Sequence, residues 1–337
     1  MKYHIPDIRF IDYLRLFKTV ASGWLTEGKR VAECETILKN ENLCFPLMVS
    51  SATAGLHLAL ESLGIGKGDE VITTTYTYIA TVQAIEYSGA KPILADCKTD
   101  YNIDPEEIKK KIKKKTKAII PVHFGGRLCD MKAINKIARQ HNLHVVEDCA
   151  HRVPIYRDTD NIRVFSFYAN KILTSGEGGA VLFKDLNTYT KGKHLYYHGR
   201  DYSQLKRTNE VVCKGYKYNM SDINASILIG QLKRMKWNIQ KRQQVAKWYD
   251  KYIGMNKFDK NNHYHLFPLP AIMKQKLDLK TNKIPFSHHY KPVHEQTAYK
   301  QAGFPIASGL SRKEISLPIH PFMKKKDVKY ICDLLGG

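Results

Sequence analysis

Acidic side chains are scarce in this chain. Against 54 Lys and Arg stand only 32 Asp and Glu, leaving a formal charge of +22 over 337 residues. Such an excess suits phosphate-bearing partners. Its densest cluster, KKKIKKKTK from Lys109 to Lys117, follows Ile108 and contains Ile112, one helical turn apart. That spacing predicts the wet face of an amphipathic helix, and no nucleic-acid reading module is recognisable, so no nucleic-acid partner is expected. Long hydrophobic runs are missing as well, so no membrane-spanning helix is expected. The opening MKYHIPDIRFIDYL lacks a continuous apolar segment followed by a small-residue cleavage site, which argues against a secretory signal. No CxxC pair occurs among seven scattered cysteines. Neither a zinc site nor a disulfide framework is therefore predicted, no metal is expected, and a reducing cytoplasm is the expected compartment. Repeats and low-complexity runs are absent too. With 43% hydrophobic residues, the chain has the length and composition for one large domain and a smaller one.

The most informative stretch runs from Glu147 to Phe183. An apolar run containing Leu143, Val145 and Val146 ends on Glu147-Asp148. A second, Val164 to Tyr168, ends beside Lys171, and a turn with Gly176, Gly178 and Gly179 leads into a third, Ala180 to Phe183. Short β-branched and aromatic runs bounded by turn residues predict buried strands. An Asp at one strand end and a Lys just past the next can hold pyridoxal phosphate (PLP): the Lys bonds the cofactor as an imine and the Asp keeps the pyridine nitrogen protonated. Spacing alone also fits solvated surface charges.

Other segments add context. Residues 7–20 place Ile8, Ile11, Leu14 and Phe17 at helical spacing, and Gly23 closes that helix. SSATAGLHLALESLG, Ser50 to Gly64, puts small polar residues before a helical pattern, where free N–H groups and the dipole suit a phosphate. Asp104 and Pro105 form a strong helix start. Strand and helix then alternate as in a three-layer α/β domain. SDINASILIGQL reads as a capped helix, and a long helix through Trp248 and Tyr252 ends at Gly254.

SFYANK with SGEGG, EDCAH, SSATAGLHLAL and GYKYNMSDINA together resemble the sugar aminotransferases of the DegT/DnrJ/EryC1/StrS family, over nearly the whole chain. The resemblance implies the aspartate-aminotransferase-like fold (fold type I). A large cofactor domain would cover residues 1–254, and a shortened C-terminal domain residues 255–337. It implies that Lys171 forms the imine and shuttles the proton, and that Asp148 pairs with the pyridine nitrogen. Ala52, Thr53 and Ser166 would contact the cofactor phosphate. Tyr78 would stack on the ring, and His151 would sit beside the phenolic oxygen. Asn219 would reach the phosphate of a neighbouring subunit, which makes the protein a homodimer. Trp24, Leu25, Thr26 and Gly28 match the W-L-T-x-G opening, which equally reads as a helix-start packing motif. His289 and His294 match the H-Y-x-P-x-H segment, with His289 the candidate sugar contact.

The implied reaction passes an amino group from glutamate, through pyridoxamine phosphate, to a keto group of a nucleotide-linked sugar. The TSGEGG turn resembles that of members acting at C4 of 4-keto-6-deoxy sugars, whose products enter surface polysaccharides. Two departures stand out. The loop 153–163 is shorter than is usual in the family, as is the C-terminal region. A sugar dehydratase of the same fold would carry His where Lys171 stands, and a non-catalytic relative would have lost cofactor residues.

Overall fold

The computed structural model describes residues 2–155, 158–201, 210–254, 258–269 and 285–335. The short loop 153–163 is thus described except at 156 and 157, and the expected small domain only in part. The chain opens with two helices, α1 (Phe10–Ala21) and α2 (Lys29–Asn42). Strands β1 (Phe45–Val49), β2 (Glu70–Thr74), β3 (Lys91–Ala95), β4 (Thr116–Ile120), β5 (His144–Asp148), β6 (Ile162–Ser166) and β7 (Gly179–Phe183) follow. Between them run α3 (Ala52–Ser62), α4 (Ala80–Tyr87), α5 (Pro105–Lys111) and α6 (Met131–Gln140). After β7 come α7 (Leu186–Tyr196), α8 (Asp222–Lys233) and α9 (Met235–Ile253).

The seven strands form one sheet in the order β1-β7-β6-β5-β4-β2-β3. β7 runs antiparallel to β1 and β6, and every other pair is parallel. Side chains alternate across it, as the two-residue strand period requires. Met48, Ala180 and Leu182 enter one core with Val31 and Leu38 of α2 and Leu228 of α8. Leu47, Val49, Val181 and Phe183 enter another with Leu56 and Leu60 of α3 and Tyr196 of α7. The result is the three-layer sandwich of fold type I. Beyond it, β8 (Phe267–Leu269) and β9 (Ile315–Leu317) pair antiparallel. They share an apolar cluster with Tyr249 of α9 and with Val328 and Ile331 of the helix Lys325–Leu334.

Most helix boundaries follow local chemistry. Asp104 caps α5 by accepting from Glu106 N at 2.9 Å, with Pro105 at its first position. Ser51 caps α3 by accepting from Ala54 N at 3.1 Å, and Gly254 closes α9 at φ 74°. Of the lysine run only Lys109–Lys111 are helical, because α5 ends at Lys111 and Ile112 is extended; Ile108 is buried, while Lys109 and Lys110 pair with Glu106 and Glu107 on the exposed side.

Two starts depend on distant residues. The Asp222 carboxylate accepts from Gly28 N at 2.9 Å, Arg30 N at 3.1 Å and Val31 N at 2.9 Å, so it caps α2 from α8. A Cβ at position 28 would press on the Trp24 indole and the Asp222 carboxylate, so a larger residue there would have to displace the cap. Ahead of α1, Asp7 and Asp12 are buried and both bind Arg234, at 3.0 and 2.7 Å. These pairs tie the first residues onto α8 and α9. The apolar stripe expected on α1 is present but faces outward: Phe10 is 75% exposed, Phe17 71% and Ile11 47%.

Candidate active site

Strand order and register assemble the site at the carboxyl ends of β5 and β6. Asp148 is the last residue of β5 and is buried. Its Oδ2 accepts from Thr81 Oγ1 at 2.8 Å and its Oδ1 from Ala150 N at 3.0 Å. Burial pushes the carboxyl up from its ordinary range; the two hydrogen bonds and the positive charge of Lys171 oppose that rise. Thr81 Oγ1 lies 3.0 Å from Thr77 Oγ1, which continues the chain of hydroxyls.

Lys171 sits in the turn after β6, its N–H donating to Tyr168 O at 2.9 Å. Burial draws its ammonium down to about 8, against the pull of Asp148. A basic amine near neutrality within electrostatic reach of a fixed carboxylate can act both as nucleophile and as proton carrier.

His151 is buried and held at both ring nitrogens. Gly125 N donates to Nδ1 at 3.1 Å, and Nε2 faces Tyr290 Oη at 2.9 Å. An Nδ1 that accepts must be unprotonated, so the proton of the neutral ring sits on Nε2 and is donated to Tyr290. Burial, with Lys171 and His289 nearby, keeps this ring neutral. Its face lies 4.4 Å from that of His265.

Across the sheet, register lays Ser166 beside Gly179 and Gly179 beside Val49. A Cβ on Gly179 would fall 2.8 Å from Ala52 N and from Phe165 O, so β7 can pass the start of α3 only with glycine here. Ala52 and Thr53 open α3, whose first N–H groups and positive dipole end therefore lie over the strand that neighbours Ser166. Ser166 Oγ accepts from Tyr168 N at 3.3 Å. Asn219 forms a backbone bridge with Val49, and its side chain bonds Glu27 within the same chain. Tyr78 is 61% exposed at the start of α4, its ring 5.9 Å from that of Tyr290.

His289 is half-buried. Its N–H donates to Glu314 Oε2 at 2.7 Å, its carbonyl accepts from Tyr76 Oη at 3.0 Å, and its Nδ1 is buried without a partner. Burial and Lys171 bring its pKa down to about 4. His294 stands apart, with Nδ1 2.7 Å from Thr75 Oγ1 and Nε2 2.8 Å from Ser308 Oγ, as a residue fastening the chain to β2. Trp24, Leu25, Thr26 and Gly28 lie in the link before α2; Trp24 and Leu25 are exposed, and Thr26 O accepts from Asp222 N at 3.1 Å. Sequence reasoning missed Thr81, Gly125 and Tyr290, which fix Asp148 and His151. Only the hydroxyl-rich run TTTYTYIAT hinted at the first.

His123, Glu147 and Cys149 also bring potential ligand atoms within 4.8 Å of one another. His123 Nε2 already binds Glu147 Oε2 at 2.7 Å and its Nδ1 accepts from Cys129 N at 3.2 Å, so this ring is committed to structural hydrogen bonds. No helix among the described residues is long and apolar enough to cross a membrane.

The sequence model of the DegT/DnrJ/EryC1/StrS aminotransferase family matches residues 10–336. An uncharacterized protein of Methanocaldococcus jannaschii is 38% identical, covering 96% of this chain and 93% of its own. The spore coat polysaccharide biosynthesis protein SpsC of Bacillus subtilis is 34% identical over 99% of this chain and 95% of its own. A putative sugar aminotransferase of Streptococcus pneumoniae, solved in its PMP form, superposes with TM-score 0.90 at 27% identity, covering 99% of this chain and 98% of that one. Its PLP form gives TM-score 0.89 at 28% identity, over 99% and 97%.

Proposed function

The chain belongs to the DegT/DnrJ/EryC1/StrS aminotransferase family, and from that premise we propose its substrates and the roles of its residues. It is a PLP-dependent sugar aminotransferase. In our reading it carries nitrogen from glutamate to the C4 keto group of a nucleotide-linked 4-keto-6-deoxy sugar, as a cytoplasmic homodimer. Residues 1–254 form the cofactor domain and 255–337 the small one.

The residues present fit the cofactor. A buried carboxylate, an amine of lowered basicity and a helix start that a single Cβ at Gly179 would block stand together. Bound there, pyridoxal phosphate supplies an electron sink that stabilises negative charge on the substrate carbon being deprotonated. Asp148 would hold the pyridine nitrogen, oriented by Thr81 and Ala150. Ala52, Thr53 and Ser166 would take the phosphate. Tyr78 would cover the ring face, and His151, pinned by Gly125 and Tyr290, would stand by the phenolic oxygen. Lys171 would carry the cofactor and move the proton at the substrate carbon: with its pKa near 8, a useful fraction of the amine is neutral at physiological pH.

The observation that carries this reading is the pairing of Asp148 and Lys171. The carboxylate is fixed by two hydrogen bonds and lies within electrostatic reach of the lysine. The outward apolar stripe of α1, with Trp24 and Leu25 exposed in the link before α2, supports a second subunit, because clustered exposed apolar side chains mark interaction surfaces. Asn219 would then serve the partner's phosphate. C4 rests on the sequence of the TSGEGG turn, which resembles that of C4-acting members; in the structure Ser175 Oγ donates to Glu177 O at 2.7 Å within it.

A panel of nucleotide 4-keto and 3-keto sugars, offered with glutamate and analysed by NMR of the products, tests the proposal. Amination at C4 with release of the keto acid is expected. Amination at C3, or transfer only from another donor, would refute the corresponding part.

A further inference from the structure

Both ring nitrogens of His151 are taken. Gly125 N donates to Nδ1 at 3.1 Å, so the one proton of the neutral ring is on Nε2, and it is given to Tyr290 Oη at 2.9 Å. The ring expected beside the cofactor's phenolic oxygen therefore has neither an N–H nor a lone pair left to offer it. Tyr290 does. Its oxygen accepts from His151, and its own O–H makes no further hydrogen bond among the described residues. Burial and the Asp148 carboxylate keep that phenol protonated, so it remains a donor. A donor without an acceptor on the wall of a binding site calls for one from the ligand.

The hydroxyl stands among the groups that would set the cofactor's position. Asp148, the expected partner of the pyridine nitrogen, acts electrostatically on Tyr290, and Lys171 acts on His151. The Tyr290 ring lies 5.9 Å from that of Tyr78, the expected cover of the ring face, and meets Phe124 edge-on at 6.2 Å. Its backbone is fastened on both sides. The preceding His289 donates its N–H to Glu314 Oε2 at 2.7 Å, and Val293 N donates to Thr75 O at 2.8 Å. Phe124 and Gly125 share the turn after β4, which Leu266 N holds by donating to Gly125 O at 3.2 Å. The series Gly125, His151, Tyr290 is thus fixed at both ends and donates in one direction. Of the other titratable neighbours, Glu314, Tyr3 and Tyr78 act on Tyr290 and His289 on His151, while the His265 ring lies 4.4 Å from that of His151.

We propose that Tyr290 donates the hydrogen bond to the phenolic oxygen of the cofactor, and that His151 is a positioning residue that acts only through this hydroxyl. This rests on the assignment of the cofactor to the site of Asp148 and Lys171.

The visible absorbance of the cofactor-loaded enzyme changes as the imine loses its proton, which leaves the negative charge of the phenolic oxygen uncompensated. A donor to that oxygen favours the deprotonated form and holds the transition at lower pH. The transition is titrated in wild type, Tyr290→Phe, His151→Leu, His151→Gln and the double variant Tyr290→Phe/His151→Leu, with circular dichroism to confirm folding. Tyr290→Phe should raise the midpoint by about one pH unit and weaken pyridoxal phosphate about tenfold in equilibrium dialysis. His151→Leu should move the midpoint in the same direction, with no additional shift in the double variant. His151→Gln, whose amide carries both an acceptor for Gly125 and a donor for Tyr290, should restore most of the wild-type behaviour. An unmoved midpoint in Tyr290→Phe would overturn the proposal. A His151→Leu shift as large in the Tyr290→Phe background as in wild type would make His151 the direct donor and overturn its positioning role. In the cofactor-free protein, nitrogen NMR of the His151 ring should find the proton on Nε2, and a proton on Nδ1 would overturn the series of donors whatever the cofactor does. A loaded wild type without any visible band would refute the Lys171 assignment, and this proposal with it; the other failures leave that assignment standing.

Discussion

Lys171 should destabilise the cofactor-free protein at neutral pH, and replacing it should show by how much. Burial draws its ammonium from 10.5 to about 8. Each unit of that shift corresponds to about 1.4 kcal/mol, so the folded state gives up roughly 3 kcal/mol at pH 7 to keep the charged amine in place. Between pH 8 and 10.5 the unfolded chain binds the proton that the native chain has released, so stability rises with pH through that window. Lys171→Met abolishes the cost. It also removes the cation that favours the Asp148 carboxylate, which trims the gain. We expect the variant to be more stable than wild type by about 2 kcal/mol at pH 7, with the difference falling below about 1 kcal/mol at pH 10. Urea unfolding of both proteins, followed by circular dichroism at several pH values, reads this directly. A variant no more stable at pH 7, or an advantage that does not narrow towards pH 10, would refute the assignment of a buried, weakly basic lysine.

Two further substitutions probe the framework. Thr81→Val removes the hydroxyl bound to the buried Asp148 Oδ2 at 2.8 Å; unfolding measurements should show a loss of about 1.5–3 kcal/mol, and the Asp148 carboxyl should titrate still higher. Gly179→Ala places a Cβ 2.8 Å from the backbone of Ala52 and Phe165. It should cost about 1–3 kcal/mol and weaken pyridoxal phosphate binding in equilibrium dialysis, whereas an unchanged affinity would place the phosphate elsewhere.

The strands bearing Asp148 and Ser166 were legible because buried β-branched runs and glycine turns are local signals, and so were the caps at Asp104 and Gly254. β6 ends at Ser166 rather than at Tyr168: Phe167 bonds Gly178 O, but the chain is already turning towards Lys171. What was not legible depends on long-range contact. Nothing near Thr81 in sequence says that it orients Asp148, and nothing near Tyr290 says that it meets His151. Asp222 reads as part of a capped helix, while its carboxylate serves α2 nearly two hundred residues away. The stripe on α1 has the periodicity of any core-facing helix, and only the fold shows that it faces outward. Tyr3 carries no motif either, yet its ring stacks 6.1 Å from that of His289.

The claim at the centre of this account is that Lys171, among the many lysines of a strongly basic chain, carries the cofactor. Reduction of the pyridoxal phosphate-loaded protein with borohydride, followed by peptide mass mapping, tests it most directly. The phosphopyridoxyl group should be found on the peptide containing Lys171 and be absent from Lys171→Ala treated alike. An adduct spread over surface lysines, or one that persists in the variant, would contradict the account.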